Sequence, residues 1–384
     1  MICRIFLLFT FLFLPLFIFA EEVKEETKKE ETPDAAAKEE KKDEEKDEKK
    51  LGIIAFPIVF YSSDTSAGFG ASAVLHKEHY KDEYVSKSNS LALVFFYTLR
   101  NQMLSANVGN LYWNNANWHW KSKLTFKKYP TDFYGIGNDT RASDHEVFEP
   151  FTFQFENSIN RRVWRYFYAG ISLSQGYHML IKSKKDGLAD SYFKNHRKEG
   201  FISGIGIRLS YDSTDDSFFP TSGSYAEIVY QYHPFWLGSR YSFSRVFIDG
   251  RTFVKIPIPK FESVLGFQLN FEGVNGNAPL SFLPTIGSKD MMRGYTGDRF
   301  RDNYMLAVQT EWRFPIYWRF GGTLFFGTGK VQKNFTDFIF QDLKYGGGFG
   351  IRVRLAKKKK INLRFDMGFT PEGYKFYFNL LEAF

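Results

Sequence analysis

From residue 51 onward, apolar and polar side chains alternate with a period of two. The pattern is clearest over residues 261–272. Phe261, Ser263, Leu265, Phe267, Leu269 and Phe271 share one face; Glu262, Val264, Gly266, Gln268, Asn270 and Glu272 share the other. Successive side chains of a strand point to opposite faces of a sheet, so this alternation dictates strands. It recurs at 361–369, where Asn362, Arg364, Asp366 and Gly368 oppose Ile361, Leu363, Phe365, Met367 and Phe369. At 304–314 the more polar set is Met305, Ala307, Gln309, Glu311 and Arg313. Turn residues separate about sixteen such segments. They begin near Ile53, Ser66, Ser90, Gln102, Asn117, Phe151, Trp164, Phe201, Gly223, Phe243, Phe261, Asn303, Tyr317, Tyr345, Lys360 and Tyr374.

The apolar faces are heavily aromatic. The chain has 44 Phe and 22 Tyr, yet its mean hydropathy is −0.33. Strands with one face in lipid and one in water combine these two properties. The tryptophans, at 113, 118, 120, 164, 236, 312 and 318, mostly lie at or beside strand ends, where amphipathic rings meet a membrane interface. A soluble sandwich or propeller has no reason to gather aromatics this way. The expected fold is all-β: a 16-stranded antiparallel transmembrane β-barrel over residues 51–384.

Residues 1–20 read as a signal peptide. Arg4 supplies the positive start, residues 5–19 the apolar run, and Ala20 the cleavage point. The run is short for a spanning helix and contains Pro15. An exported barrel belongs in a bacterial outer membrane. The only cysteine, Cys3, falls inside this segment, which removes disulfides and thiol chemistry from the rest of the chain. Residues 21–50 hold fourteen acidic residues and nine lysines with no aromatic residue. Such a stretch cannot bury a core. It is expected to be a charged periplasmic linker, with docking to a periplasmic or cell-wall partner as the sharper alternative.

The net charge of +8 is scattered over alternate strand positions, so no nucleic-acid surface forms. Lipids of the outer membrane are the expected partners, and a monomer the expected state. Alternation points Arg208, Glu227, Glu262, Glu272, Glu311, Arg313, Arg352, Arg354, Arg364 and Asp366 into the barrel, the place for polar side chains. No pair stands out as general acid and base, no Ser-His-Asp order with a nucleophile elbow is present, and the seven histidines show no metal spacing. No catalytic residue, metal or cofactor is therefore expected. Gly321-Gly322 and Gly346-Gly347-Gly348 fall within strands, as bends or places of close backbone approach.

The connection from Gly273 to Asp302 is long for a loop without strands of its own, and such loops are usually functional. It contains Arg293-Gly294-Tyr295 between the eleventh and twelfth segments. Elsewhere the chain carries Asp212 followed by Phe219-Pro220-Thr221-Ser222-Gly223, then Glu311-Trp312-Arg313-Phe314-Pro315, Arg364-Phe365-Asp366, and a closing run with Phe376, Phe378 and Phe384. In this order these stretches resemble the surface-antigen (BamA/TamA) superfamily of outer-membrane assembly barrels. The resemblance covers most of residues 51–384 and is strongest after Gly200.

The resemblance implies that the long loop folds into the lumen and that its Arg pairs with an acidic residue on the inner wall. It also implies a periplasmic turn at Asp212, Phe219, Pro220 and Gly223, and a barrel-closing last strand bearing Phe376, Phe378 and Phe384. In the family the acid sits in a Phe-x-Asp-x-Gly stretch of the thirteenth strand. Here that stretch is Phe325-Phe326-Gly327-Thr328-Gly329. Glu311 and Asp366 are the candidate replacements. The implied function is outer-membrane protein or lipid assembly or translocation; the alternative is a passive channel or structural barrel. The family's assembly members carry periplasmic repeat domains, and residues 21–50 are too short and too charged to form one.

Overall fold

The computed structural model describes residues 52–81, 86–216, 219–258, 261–337, 341–356, 361–380 and 382–384. The expected signal peptide and charged linker lie outside the described residues, as does the side chain of Glu262. Sixteen long strands form one closed antiparallel sheet among the described residues. They are β1 (Gly52–Ser62), β2 (Ser66–Lys81), β3 (Ser86–Thr98), β4 (Met103–Trp113), β5 (Trp118–Lys128), β6 (Glu146–Trp164), β7 (Phe167–Lys182), β8 (Glu199–Asp212), β9 (Gly223–His233), β10 (Phe243–Ile258), β11 (Phe261–Gly276), β12 (Tyr304–Tyr317), β13 (Phe320–Gln332), β14 (Lys344–Ala356), β15 (Ile361–Thr370) and β16 (Gly373–Leu380).

Each strand pairs with its neighbours in sequence, and β1 pairs with β16 to close the ring. Closure brings the two sheet edges together, which is what a sheet in a membrane requires. The two faces separate as the alternation demands. Val264, Gln268, Met305, Ala307, Gln309, Glu311 and Arg313 are buried inward, while Phe267, Leu269, Val308, Leu324 and Phe326 are exposed outward. Among the described residues, no helix is long and apolar enough to cross a membrane; the strands do the crossing.

The connections are unequal. At one end they include residues 114–117, 165–166 and 318–319; at the other, 129–145, 183–198 and 277–303. The long ones build a cap. A short strand, Thr131–Phe133, pairs with the start of β6, so β6 begins at Glu146 rather than near Phe151. Helix α1 (Leu188–Asn195), which the alternation did not foretell, receives a cap from another element: the Glu146 carboxylate accepts from the Ala189 N–H at 2.7 Å. Phe133, Phe148, Phe193, Phe243, Leu280 and Phe282 pack together there and seal that mouth with apolar side chains.

Two boundaries differ from expectation. β11 continues to Gly276, paired with Phe243, so the long loop starts later than Gly273. The last strand stops at Leu380. Phe384, expected on that strand, instead packs against Phe253 and Val264 on the inner faces of β10 and β11. A large apolar ring finds cover there that the short strand end does not offer.

Candidate functional site

The loop 277–303 carries its own frame. Thr285–Ile286 pairs with Phe300–Arg301 as a two-stranded ribbon. Its apolar side chains, Ile286, Met292, Tyr295 and Phe300, pack on Met305 and Ala307 of β12 and Val331 of β13. At the tip, Met292 has φ +55° and Gly294 φ +113°, which reverses the backbone on both sides of Arg293. The fit to the wall is close. A Cβ on Gly368 would lie 2.7 Å from the Arg293 carbonyl carbon, and one on Gly346 3.2 Å from its oxygen. Glycine at these inward strand positions admits another backbone.

Arg293 therefore reaches the acids of two strands that are not neighbours. One terminal nitrogen donates to Glu311 of β12, and the other, Nη1, to Asp366 Oδ2 of β15 at 2.6 Å. The guanidinium carbon sits 3.5 Å from the centre of the Phe325 ring. Its buried surroundings make charge-assisted pairing strong and unpairing costly. The Gly327 position is filled from the loop: a Cβ there would be 3.1 Å from Met292 Sδ. The missing acid of β13 is thus accompanied by a methionine that occupies its space.

The network extends further than the two expected acids. Arg313 Nε donates to Glu311 at 2.8 Å, and Arg352 Nη1 to Asp366 at 2.6 Å. Arg352 Nε holds Glu382 at 2.7 Å, and Arg364 Nη2 holds the loop's Asp290 at 2.7 Å. Four arginines thus face four carboxylates, a balance that buried charge needs. Asp290 lies on the loop, where lysine and arginine neighbours outweigh burial and lower its carboxyl to about 2. Residue-by-residue reading missed the linking roles of Arg352, Arg364 and Glu382. Alternation places Arg352 and Arg364 inward, but it assigns no face to Glu382, which lies past the last strand.

The loop also touches the closing strand. The Gly294 N–H donates to Tyr377 Oη at 3.0 Å, and that hydroxyl donates to the Tyr295 carbonyl at 3.3 Å. Tyr295 Oη reaches the Tyr345 carbonyl at 3.2 Å. At the capped end, Arg299 joins Glu372 and Thr140 while stacking between Tyr134 and Phe300.

Tyr377 is one of two residues of β16 that pair with β1. Among the described residues the register there is Tyr61↔Phe378 and Ser62↔Tyr377. Other neighbouring strands share eight pairs or more, eight being the length of the β15–β16 ladder. Phe376 is exposed on the outer face, and the Phe378 ring lies 4.6 Å from Phe365. Beyond Leu380 the chain turns inward, where Arg313 Nη2 donates to the Phe384 oxygen at 2.6 Å.

The β8–β9 connection holds the other predicted residues. Asp212 accepts from the Thr214 hydroxyl at 2.7 Å, and Asp216 from the Phe219 N–H at 2.9 Å. Pro220 lies between Phe219 and Thr221. Thr221 and Ser222 N–H groups donate to Asp215 at 2.8 and 3.1 Å. Gly223, with φ +94°, ends the turn where a Cβ would strike the Ser213 carbonyl. Among the described residues, no group of three metal-ligating side chains forms.

A family model, the Omp85 superfamily domain, matches residues 60–384. The chain belongs to the Omp85 superfamily. Its barrel is similar to that of BamA from Haemophilus ducreyi in a form lacking POTRA domains 1–3. The TM-score is 0.61 at 12% identity, over 86% of this chain and 70% of that one. A porin mutant from Rh. blastica covers 86% of this chain and 98% of its own at 7% identity, with a TM-score of 0.34. Wzi of Escherichia coli matches at 8% identity over 92% and 90%, with a TM-score of 0.32. Both are too distant to support an argument. No curated protein matches the sequence. As an Omp85 barrel, the protein resides in the bacterial outer membrane and belongs among assembly and translocation barrels.

Proposed function

We propose that this Omp85 barrel assists outer-membrane protein or lipid assembly by parting at the β1–β16 seam. The short turns face the periplasm and the capped end faces outward, the usual arrangement of such barrels. The two-pair seam carries the reading. Opening it breaks a quarter of the ladder that separating β15 from β16 would break. Each backbone bond left unmade in lipid is costly, so the barrel opens where fewest are made. The Arg293 loop acts as a latch, because its Gly294 and Tyr295 backbone groups bind Tyr377 at that seam.

A Tyr61→Cys/Phe378→Cys pair tests this in cells that depend on the protein. Oxidation locks the seam, and levels of other outer-membrane proteins or lipids should then fall and recover on reduction. Normal levels with the seam locked would sink the seam mechanism. Normal levels after depletion of the whole protein would remove the assembly role. A large, steady pore in planar bilayers with the loop intact would favour a passive channel instead.

A further inference from the structure

The Arg293 network is balanced in charge, but the opposite wall of the lumen is not. A cavity of about 310 Å³ lies against the inner faces of β5 to β10. Lys121 of β5 donates to Glu227 of β9 at 3.2 Å. Three strands separate these two along the sheet, so the contact crosses the interior of the ring. The lining carries Lys121, Lys123, Arg208 and Arg245 against Glu156 and Glu227. A second cavity, of about 250 Å³, shares Gln154 and Arg245 with the first and is also lined by Leu283, Pro284 and Thr285 of the loop. It adds Lys127 and Arg301 against Glu272 and Asp298. Six cations thus meet four carboxylates in one chamber between loop and wall, a formal excess of two.

The pairings show where the excess sits. Glu227 is shared: it accepts from Arg208 Nε at 2.6 Å as well as from Lys121, and from the Tyr225 hydroxyl at 2.7 Å. Arg245 holds Glu272 at 3.0 Å, Lys123 lies 3.7 Å from Glu156, and Arg301 3.4 Å from Asp298. Among the described residues Lys127 forms no ion pair; its ammonium lies 4.6 Å from the centre of the Tyr129 ring. The unmatched charge is therefore shared by Lys121 and Arg208 on one side and carried by Lys127 on the other. Two further groups need a partner. Arg208 and Ser172 both line the first cavity and are 6% and 4% exposed. Arg208 Nη1 and Ser172 Oγ have no hydrogen-bond partner, and a buried polar group left unpaired is costly. Water can satisfy the hydrogen bonds but not the charge, which buried cations need matched.

We infer that this lumen chamber binds a phosphate group, either free or carried as a monoester on a small molecule. A phosphate bears a charge of about −1.5 to −2 near neutral pH, which matches the excess of two; a single carboxylate leaves one cation unmatched. Its several acceptor oxygens can take a guanidinium nitrogen, a hydroxyl and an ammonium together. The space is at the lower end for small-molecule sites, which run from about 300 to 1,000 Å³, and so suits a phosphate with a few carbon atoms rather than a polymer. The inference depends neither on the seam mechanism nor on which end of the barrel faces the periplasm, so a failed seam lock leaves it standing.

The test is titration calorimetry of the full chain in a nonionic detergent at fixed ionic strength, with inorganic phosphate, glycerol 3-phosphate or lactate in the syringe. Wild type should bind both phosphates about tenfold or more tighter than lactate, the factor that one charge-assisted hydrogen bond supplies. Tighter binding of glycerol 3-phosphate than of inorganic phosphate assigns the site to a monoester, and equal binding to the free ion. Arg208→Gln leaves Glu227 with Lys121 and Tyr225, and Lys127→Gln orphans no described acid. Each should weaken phosphate about tenfold or more, and the double variant, with no excess charge, should give no binding heat. Arg208→Lys, which keeps the charge but not the fork, should recover part of the loss. Arg141→Gln at the capped end should change nothing. Heat-modifiability on gels verifies that each variant is folded. Phosphate held no more tightly than lactate, or a folded double variant that binds as wild type, would overturn the inference. So would displacement of phosphate by a peptide of residues 21–50, which would give the chamber to the chain's own acidic segment.

Discussion

Replacing Arg293 by alanine removes the cation that joins β12 to β15 through the loop. Two charge-assisted hydrogen bonds are lost, each worth about 1.5–3 kcal/mol. Contact with the Phe325 face, about 2 kcal/mol when desolvated, goes too. The acids are not orphaned: Glu311 retains Arg313 at 2.8 Å, and Asp366 retains Arg352 at 2.6 Å. The expected destabilisation is therefore about 3–5 kcal/mol, the range for breaking a buried pair, rather than the sum of the parts. The network is left with three cations and four carboxylates. Adding Glu311→Gln restores the balance. The double variant should be more stable than the two single losses predict, by about 2 kcal/mol. Urea unfolding in lipid vesicles, followed by tryptophan fluorescence, measures all four corners of the cycle. Additivity within about 0.5 kcal/mol would refute a charge-balanced network. So would charge reversal at Glu311 and Asp366 that leaves heat-modifiability intact while Arg293→Ala does not.

Gly294→Ala places a Cβ 2.7 Å from Thr370 Cγ2 at a φ of +113°. It should release the loop at a cost of about 1–3 kcal/mol, seen as protease cleavage within 277–303 in a barrel that remains folded. Phe384→Ala empties the site against Phe253 and Val264 and should cost about 3–5 kcal/mol; an unchanged urea midpoint would show that the ring contributes nothing there. Asp215 provides a pH test at the β8–β9 turn. Partial burial opposes its ionisation, but hydrogen bonds from Thr221 and Ser222 outweigh this and hold the carboxyl below the usual carboxylate range. Its contribution is present above the unfolded value of 3.8 and is lost as pH falls through the lower folded value. Amide exchange at Thr221 and Ser222 should therefore accelerate on acidification below about pH 4, and Asp215→Asn should abolish that step.

Much of the barrel was legible because side-chain direction in a strand is a local property. Gln309, Glu311, Arg313, Arg364 and Asp366 alternate with apolar neighbours, and all of them point inward. The strand starts fell within a few residues of the structure except at β6, where pairing to Thr131–Phe133 lengthened the strand. Helix α1 was not legible, since its residues carry a weak pattern and its cap comes from Glu146, forty-three positions earlier. Nor was the place of Phe384, whose neighbours belong to β10 and β11.

The sequence by itself determined the two faces of the wall, the approximate strand number and the glycines that admit a close backbone. With the family resemblance, it also narrowed the partners of Arg293 to Glu311 and Asp366. Only the tertiary structure decided that both acids are used at once, that Met292 fills the space at Gly327, and that Tyr377 links the loop to a two-pair seam. The reason is physical. Alternation depends on adjacent residues, whereas these contacts exist only after sixteen strands have closed and a loop has crossed the lumen between them.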